Sequence, residues 1–191
     1  MGKEHLIKIK DLAVLFTKYM YTWNHSEAFA QSKACFYEKS NPMDRFYFQI
    51  GKLVEKDDFI LNFSSKASIK YLGKFDYIPS NTASPIVSSL LMEFLRENTN
   101  ESFQEIPIKI IANDGSLSDY FLINIIKIID AIDDSKSIKF QSSGTYQKIF
   151  YKSEADVGSF LARSKNSLSA VLVSSKLKEK KKKKKFKGLN F

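Results

Sequence analysis

At 191 residues the chain has the length of one domain, and its 43% hydrophobic content, with 16 Phe and 9 Tyr, supplies a packed core and excludes intrinsic disorder. The net charge of +9 points to a polyanion partner until the charge is located: nine of the 30 Lys and Arg and one of the 21 Asp and Glu fall in residues 176–187, leaving 21 against 20 elsewhere. A basic face on the body needs a segregation of charge that this near-balance gives no reason to expect, so the basic character belongs to one local element.

The opening stretch, "MGKEHLIKIKDLAVLF", carries charges inside its apolar run and lacks a small-residue cleavage site, so it does not read as a signal peptide. Gly2 follows Met1, but Leu at position 6 weakens a myristoylation reading. With Cys35 as its single cysteine the chain has no internal disulfide, and no run approaches the roughly 18 apolar residues of a membrane span. A soluble, cytoplasmic protein is the expectation.

In chain order, "HLIKIKDLAVLFTKYMYTW" (5–23) fits a strand running into a helix, its short apolar runs matching either period. "SNPMDR" (40–45) is a loop, because Asn41 precedes Pro42. "RFYFQIGKLV" (45–54) and "DDFILNFSS" (57–65) predict strands, rich in aromatic and β-branched residues. "SPIVSSLLMEFLREN" (84–98) predicts a helix capped by Ser84 with Pro85 in its first position. Its stripe of Ile86, Val87, Leu90, Leu91, Phe94 and Leu95 must face a core. A strand follows in "IPIKIIAND", and "NDGS" (113–116) is a turn of residues that tolerate positive φ. "DYFLINIIKIIDAIDDSKS" (119–137) reads as a buried strand passing into a turn or short helix near Asp130 to Ser135. Strands near "SIKFQSS", "KIFYKS" and "LSAVLVSS" carry the chain onward. Strands mixed with a few helices in no regular alternation predict a single α+β domain over 1–191, with a mixed or mainly antiparallel sheet.

Catalytic patterns are missing. His5 and His25 form neither HxxxH nor HExxH, and Cys35 beside His25 is a weak nucleophile–base signal better read as a buried thiol. The seven glycines make no phosphate-cradling loop, and there is no GxSxG. The pairs Asp57/Asp58 and Asp133/Asp134 are adjacent residues, which a strand sends to opposite faces, so turn chemistry is the better reading. The aromatics "FYF" (46–48) lack interleaved basic residues and read as half-buried strand rather than a base-stacking platform. The expectation is a non-enzyme, with no catalytic residue, metal or cofactor.

Three stretches resemble one family. "YFLINIIKIIDAIDDSKSIKF" (120–140) is similar to the segment of immunity protein 11-like sequences in which an apolar strand with an Asn leads to Asp-x-x-Asp and Ser, here Asn124, Asp130, Asp133 and Ser135. "FDYIPSNTASPIVSSLLMEFL" (75–95) resembles the preceding capped helix, and "LVSSKLKEKKKKKKFKGLNF" (172–191) resembles the family's strand, charged helix, Gly and short strand. The resemblance covers 59–191 and leaves 1–58 unmatched. It implies a cytoplasmic, non-catalytic immunity protein that neutralises the cognate toxin of a bacterial polymorphic toxin system. It also implies that the lysines lie on a helix docked between two strands, with "GLNF" paired into the sheet.

The local chemistry agrees in part. Ser174 or Ser175 can cap such a helix, Glu179 suits its N-terminal end, and Gly188 suits a left-handed C-cap. Like charges four apart, such as Lys180/Lys184, each cost about 0.2–0.5 kcal/mol, which predicts a weakly docked helix that frays. The residues expected to meet a partner are Lys178, Lys181, Lys182, Lys184 and Lys185; Asn124, Asp130, Asp133 and Ser135 either hold a turn or touch the toxin. The alternative reading is a polyanion-binding module that sets the lysines on nucleic acid or an anionic membrane.

Overall fold

The longest regular apolar patterning in the chain folds back on itself as one hairpin. In the computed structural model, which describes residues 20–55, 59–99, 103–155, 158 and 160–190, β7 (Phe103–Ala112) and β8 (Gly115–Ile125) pair along nearly their full lengths. Asn113 and Asp114 make the turn, but the positive φ falls on Gly115, at 147°. In β7, Ile106, Ile108 and Ile110 are buried while Pro107, Lys109 and Ile111 face solvent, the period of two that a half-buried strand requires.

The other elements assemble around this hairpin. Before it come β1 (Tyr21–Thr22), β2 (Asn24–His25), β3 (Phe36–Tyr37), β4 (Leu61–Ser64), α1 (Ile69–Leu72), β5 (Tyr77–Ile78), β6 (Ile86–Ser88) and α2 (Ser89–Asn98). After it come β9 (Ile128–Ile129), β10 (Ile138–Lys139), β11 (Tyr146–Lys148), β12 (Leu161–Ser164), β13 (Ser167–Val173), α3 (Ser175–Lys181) and β14 (Leu189–Asn190). Six strands form one mixed sheet in the order β3-β4-β7-β8-β6-β5, parallel only at β4–β7. Four more form a second sheet, β1-β13-β12-β9, and β10–β11 and β2–β14 are two-stranded ribbons. This is an α+β fold, with more strand than helix.

Three apolar layers result. Tyr120 and Leu122 join Ile106, Ile108 and Ile110 of β7 and Phe48, Phe63 and Leu72 on one face of the large sheet. On the other face, Ile123 and Ile125 meet Leu91, Met92 and Leu95 of α2 and Leu161, Val171 and Val173 of the second sheet. The far side of the second sheet buries Ala162 and Leu172 with Met20 and Phe160. Strands β12 and β13 therefore lie between two apolar layers.

Two predicted elements differ. Arg45–Gln49, expected as strand, is a 3₁₀-helix whose N-cap Asp44 accepts the Phe46 N–H at 2.8 Å. Only Phe48 of "FYF" is fully buried; Phe46 is 52% exposed, with the Arg45 guanidinium 4.6 Å above its ring. Five residues with one buried side chain do not separate a period of three from one of two, and the capping Asp decides the outcome. The helix expected from Ser84 begins at Ser89 instead. Ile86 and Val87 are β-branched and buried on opposite faces of β6, pairing with Leu122 and Phe121. Ser88, four residues on, has the same capping chemistry and accepts the Leu91 N–H at 3.3 Å. Leu90 accordingly leaves the apolar stripe and is 59% exposed. Most of the 5–23 segment, with His5, Asp57 and Asp58, lies outside the described residues.

Ser88 both caps α2 and donates from its hydroxyl to Asp76 Oδ1 at 2.9 Å. Ser88→Ala is expected to lower stability by about 0.5–2 kcal/mol in chemical denaturation, with exchange protection lost first in the opening turn of α2.

Candidate functional site

The lysine-rich segment is part of the fold. Ser174, fully buried, caps α3 by accepting the Leu177 N–H at 3.2 Å, and its hydroxyl oxygen also accepts the Phe160 N–H at 3.1 Å. Leu177 is 0% exposed and sits in the layer between the two sheets. Lys178 lays its ammonium 3.5 Å from the centre of the Tyr21 ring, Lys180 donates to the Asn98 carbonyl at 3.3 Å, and Lys182 pairs with Glu179 at 2.6 Å. Burial pushes the Lys178 pKa down, helped by the charges of Lys182 and Lys181, and burial also lowers that of Lys181. The hydrogen bond from Lys182 to Glu179 raises the Lys182 pKa.

The helix is shorter than expected. It ends at Lys181 with Lys182 as its C-cap, so Lys184 and Lys185 stand on the turn beyond it rather than a turn further along a helix face. Ending there removes the helical i, i+4 spacing of Lys180/Lys184 and of Lys181/Lys185. Turn bonds continue from Lys183 N to the Lys180 carbonyl and from Lys184 N to that of Lys181. Phe186 then packs on Phe94, ring centres 5.1 Å apart. The Lys187 N–H donates to Asp76 Oδ2 at 2.8 Å, and the Lys187 carbonyl accepts from Asp76 N and Tyr77 N.

Gly188 has φ 88° but does not cap the helix; a Cβ there would run into the Tyr77 carbonyl oxygen, so only glycine passes. Strand β14 pairs with β2 rather than with either large sheet, and Leu189 is buried. Lys182, Lys183, Lys184, Lys185 and Lys187 are thereby held at the surface with their side chains exposed. Lys183 and Lys187 belong to this row although the spacing on a predicted helix did not select them.

The four family-motif residues occupy two places. Asn124 is fully buried on β8, where its amide donates to the Lys52 carbonyl at 2.8 Å and to Gln104 Oε1 at 3.2 Å. Gln104 in turn holds both the N–H and the carbonyl of Val54 at 2.9 Å. This pair clamps the 52–54 segment onto the sheet. Asp133 accepts from the Ser135 hydroxyl at 2.6 Å and backbone N–H at 3.2 Å and pairs with Lys136 at 2.9 Å. Asp130 pairs with Lys152 at 2.7 Å, and Asp134 with Lys139 at 2.8 Å and the Tyr146 hydroxyl at 2.7 Å. These bonds fold the turn beneath the β10–β11 ribbon. The hydrogen bond from Ser135, then that from Lys136, brings the Asp133 carboxyl down to about 2, and Lys139 and Tyr146 lower Asp134. Both stay ionised, unsuited to donate a proton.

A third feature escaped the sequence reading. Arg163, 0% exposed on β12, has no carboxylate partner among the described residues. Its guanidinium donates to the Leu168 carbonyl at 2.6 Å, to Ser84 Oγ at 2.7 Å and, through both terminal nitrogens, to the Ala83 carbonyl at 3.3 Å. Its Nε finds no acceptor there. Burial pushes its pKa down to about 10. Ala83 sits at φ 55°, a conformation costing about 1–3 kcal/mol for a non-glycine residue, and the forked guanidinium grips its carbonyl. Ser80 and Thr82 share a hydroxyl–hydroxyl bond of 2.7 Å next to it. The available signal was a lone Arg inside the short apolar run "FLARS".

Cys35 and His25 are not assembled as a nucleophile and base. Cys35 is fully buried and burial pushes its thiol up to about 12, whereas His25 is exposed on β2. Among the described residues no group of three or more His, Cys, Asp and Glu is placed to hold a metal, and no helix is long and apolar enough to cross a membrane.

Leu177→Ala is expected to cost about 2–5 kcal/mol in denaturant titrations and to free the lysine segment to proteolysis, whereas Lys183→Gln stays within about 0.5 kcal/mol. In acid, Asp133 and Asp134 have folded pKa values depressed below the ordinary 3.8, so their contribution is present above about pH 4 and lost as pH falls, for Asp133 as it nears about 2. Amide protection at Ser135, Lys136 and Ser137, taken relative to the intrinsic exchange rate at each pH, is expected to fall over that window and to show no such step between about pH 5 and 8.

The family model described as immunity protein family (Imm11) matches residues 55–191, beginning slightly before the stretch that carried the resemblance. None of the curated proteins compared with the chain matches it. With the match running from before β4 through the lysine segment and β14, the chain belongs to the Imm11 immunity protein family.

Proposed function

We propose that this is a cytoplasmic, non-catalytic immunity protein of a bacterial polymorphic toxin system, which binds a cognate toxin and neutralises it. Family membership supports the general role. The observation that carries the mechanism is the ordered row of exposed lysines from Lys182 to Lys187, fixed at its ends by Leu177 and Leu189 and braced by Phe186. A loose cationic tail loses conformational freedom whenever it binds; a row already set by the fold has lost most of that freedom on folding. Such a row suits an acidic face on the toxin, where opposite charge speeds encounter and fixes orientation. The buried thiol of Cys35, with its raised pKa, is compatible with a reducing cytoplasm.

The test starts with affinity capture from the native bacterium's lysate, nuclease-treated and washed at about 0.5 M salt, where exposed charges are strongly screened. The expected result is a stoichiometric protein that kills cells when expressed alone and is neutralised by co-expression of this chain. Changing Lys182 to Lys185 together to Gln is then expected to slow association by about tenfold at low salt, with little change in dissociation. Recovery of nucleic acid or lipid at low salt, with no protein surviving the wash, would sink this reading. Full protection and an unchanged association rate in the quadruple variant would remove the lysines from the mechanism.

A further inference from the structure

We propose that this chain pairs with a second copy of itself through the cleft between α2 and the lysine turn. This goes beyond the immunity reading and does not depend on it. Leu90, Glu93, Phe94 and Glu97 stand at i, i+3, i+4 and i+7 on α2, so they share one face of the helix. Lys184, Lys185 and Phe186 rise beside that face, and together they enclose a cleft of about 140 Å³. One wall carries two carboxylates and the other two ammonium groups, with the contact of Phe94 and Phe186 joining them. Leu90 remains 59% exposed, which leaves apolar surface available for burial.

All four charged side chains are exposed, and among the described residues none of them forms an ion pair. Arg96, on the same helix, is committed to Glu105, and Lys182 to Glu179. The two walls stay apart because burial elsewhere fixes each backbone: Leu91, Met92 and Leu95 hold α2, and Leu177 and Leu189 hold the lysine turn on either side. The chemistry of the walls selects the occupant. A two-fold contact sets residue i of one copy against j of the other and j against i, so it needs a patch complementary to itself. This patch meets that condition, since the carboxylates of each copy can face the ammonium groups of the other, with both Leu90 side chains buried between them. A uniformly acidic partner is repelled by Glu93 and Glu97, and a uniformly basic one by Lys184 and Lys185. Lys182, Lys183 and Lys187 do not line the cleft and stay available to an outside partner. A patch this small, with its charges at the surface, makes a weak and salt-sensitive dimer rather than an obligate one.

The test is sedimentation of the full chain from about 10 µM to 1 mM, at about 50 mM salt and again at about 0.5 M, where exposed charges are strongly screened. At low salt the mean mass is expected to rise with concentration from one chain towards two, and high salt is expected to reverse the rise. Two charge-reversed variants follow, Glu93→Lys with Glu97→Lys, and Lys184→Glu with Lys185→Glu. Each sets like charges against like in both halves of the contact, and each is expected to remain monomeric at low salt while keeping the parent's denaturation midpoint. Mixed in equal amounts, they present one all-basic and one all-acidic patch and are expected to form a dimer containing one of each. Leu90→Ser is expected to weaken pairing about tenfold. A parent chain that stays monomeric across the whole range overturns the proposal and leaves the cleft to a foreign partner. It is also overturned if the reversed variants pair as well as the parent, or if mixing them restores no association.

Discussion

Six consecutive lysines repel one another, and they keep a fixed course because the residues around them are drawn into one apolar layer. Leu177, Phe186 and Leu189 all join the layer in which β8, α2, β12 and β13 meet. The same layer fastens the second sheet to the first, so the body and the basic segment share a single source of cohesion. Charge repulsion between exposed ammonium groups in water amounts to tenths of a kcal/mol per pair, whereas each fully buried Leu contributes about 1.5–3 kcal/mol. The apolar contribution wins, and the lysines remain at the surface because only their neighbours are needed inside.

What the sequence made legible followed from periodicity and from capping chemistry. The strand at β7, the Asn-Asp-Gly turn and the buried strand at β8 were legible from apolar runs and turn residues, and the strand–helix–strand order around the lysines came through the resemblance. Two errors have different causes. Ser84 and Ser88 have the same capping chemistry, and choosing between them requires knowing that Ile86 and Val87 pair with β8, a contact from more than thirty residues away. The turn of 3₁₀-helix at Arg45–Gln49 depends instead on a neighbour, Asp44, whose capping chemistry was read as part of a loop. One error needed a distant contact to resolve and the other a local cap given too little weight.

The candidate sites were legible in the same uneven way. Asp133 and Ser135 hold a turn, a role their side chains perform with neighbours two or three residues off, so short-range reasoning reaches it. Asn124 does something that no local pattern could reveal, because its partners Lys52 and Gln104 come from different strands and loops. Arg163 was hidden for the opposite reason: its own segment is short and apolar, and its partners Ala83 and Ser84 lie on another layer. Buried polar groups with remote partners are the features that sequence inspection is least able to place, and they are where this fold departs from plain apolar packing.

The pairing of β1 with β13 and of β2 with β14 joins residues roughly 150 positions apart or more. Contacts of that separation form late, since the chain between them must first be ordered. During synthesis, the strands at Tyr21–Thr22 and Asn24–His25 wait for partners made about 150 residues later. The lysines emerge before Leu189 and Asn190, so for a short interval they form a sticky cationic tether rather than a shaped surface. Whatever recognises the paired arrangement can therefore distinguish it from the lysine segment before β14 has joined β2.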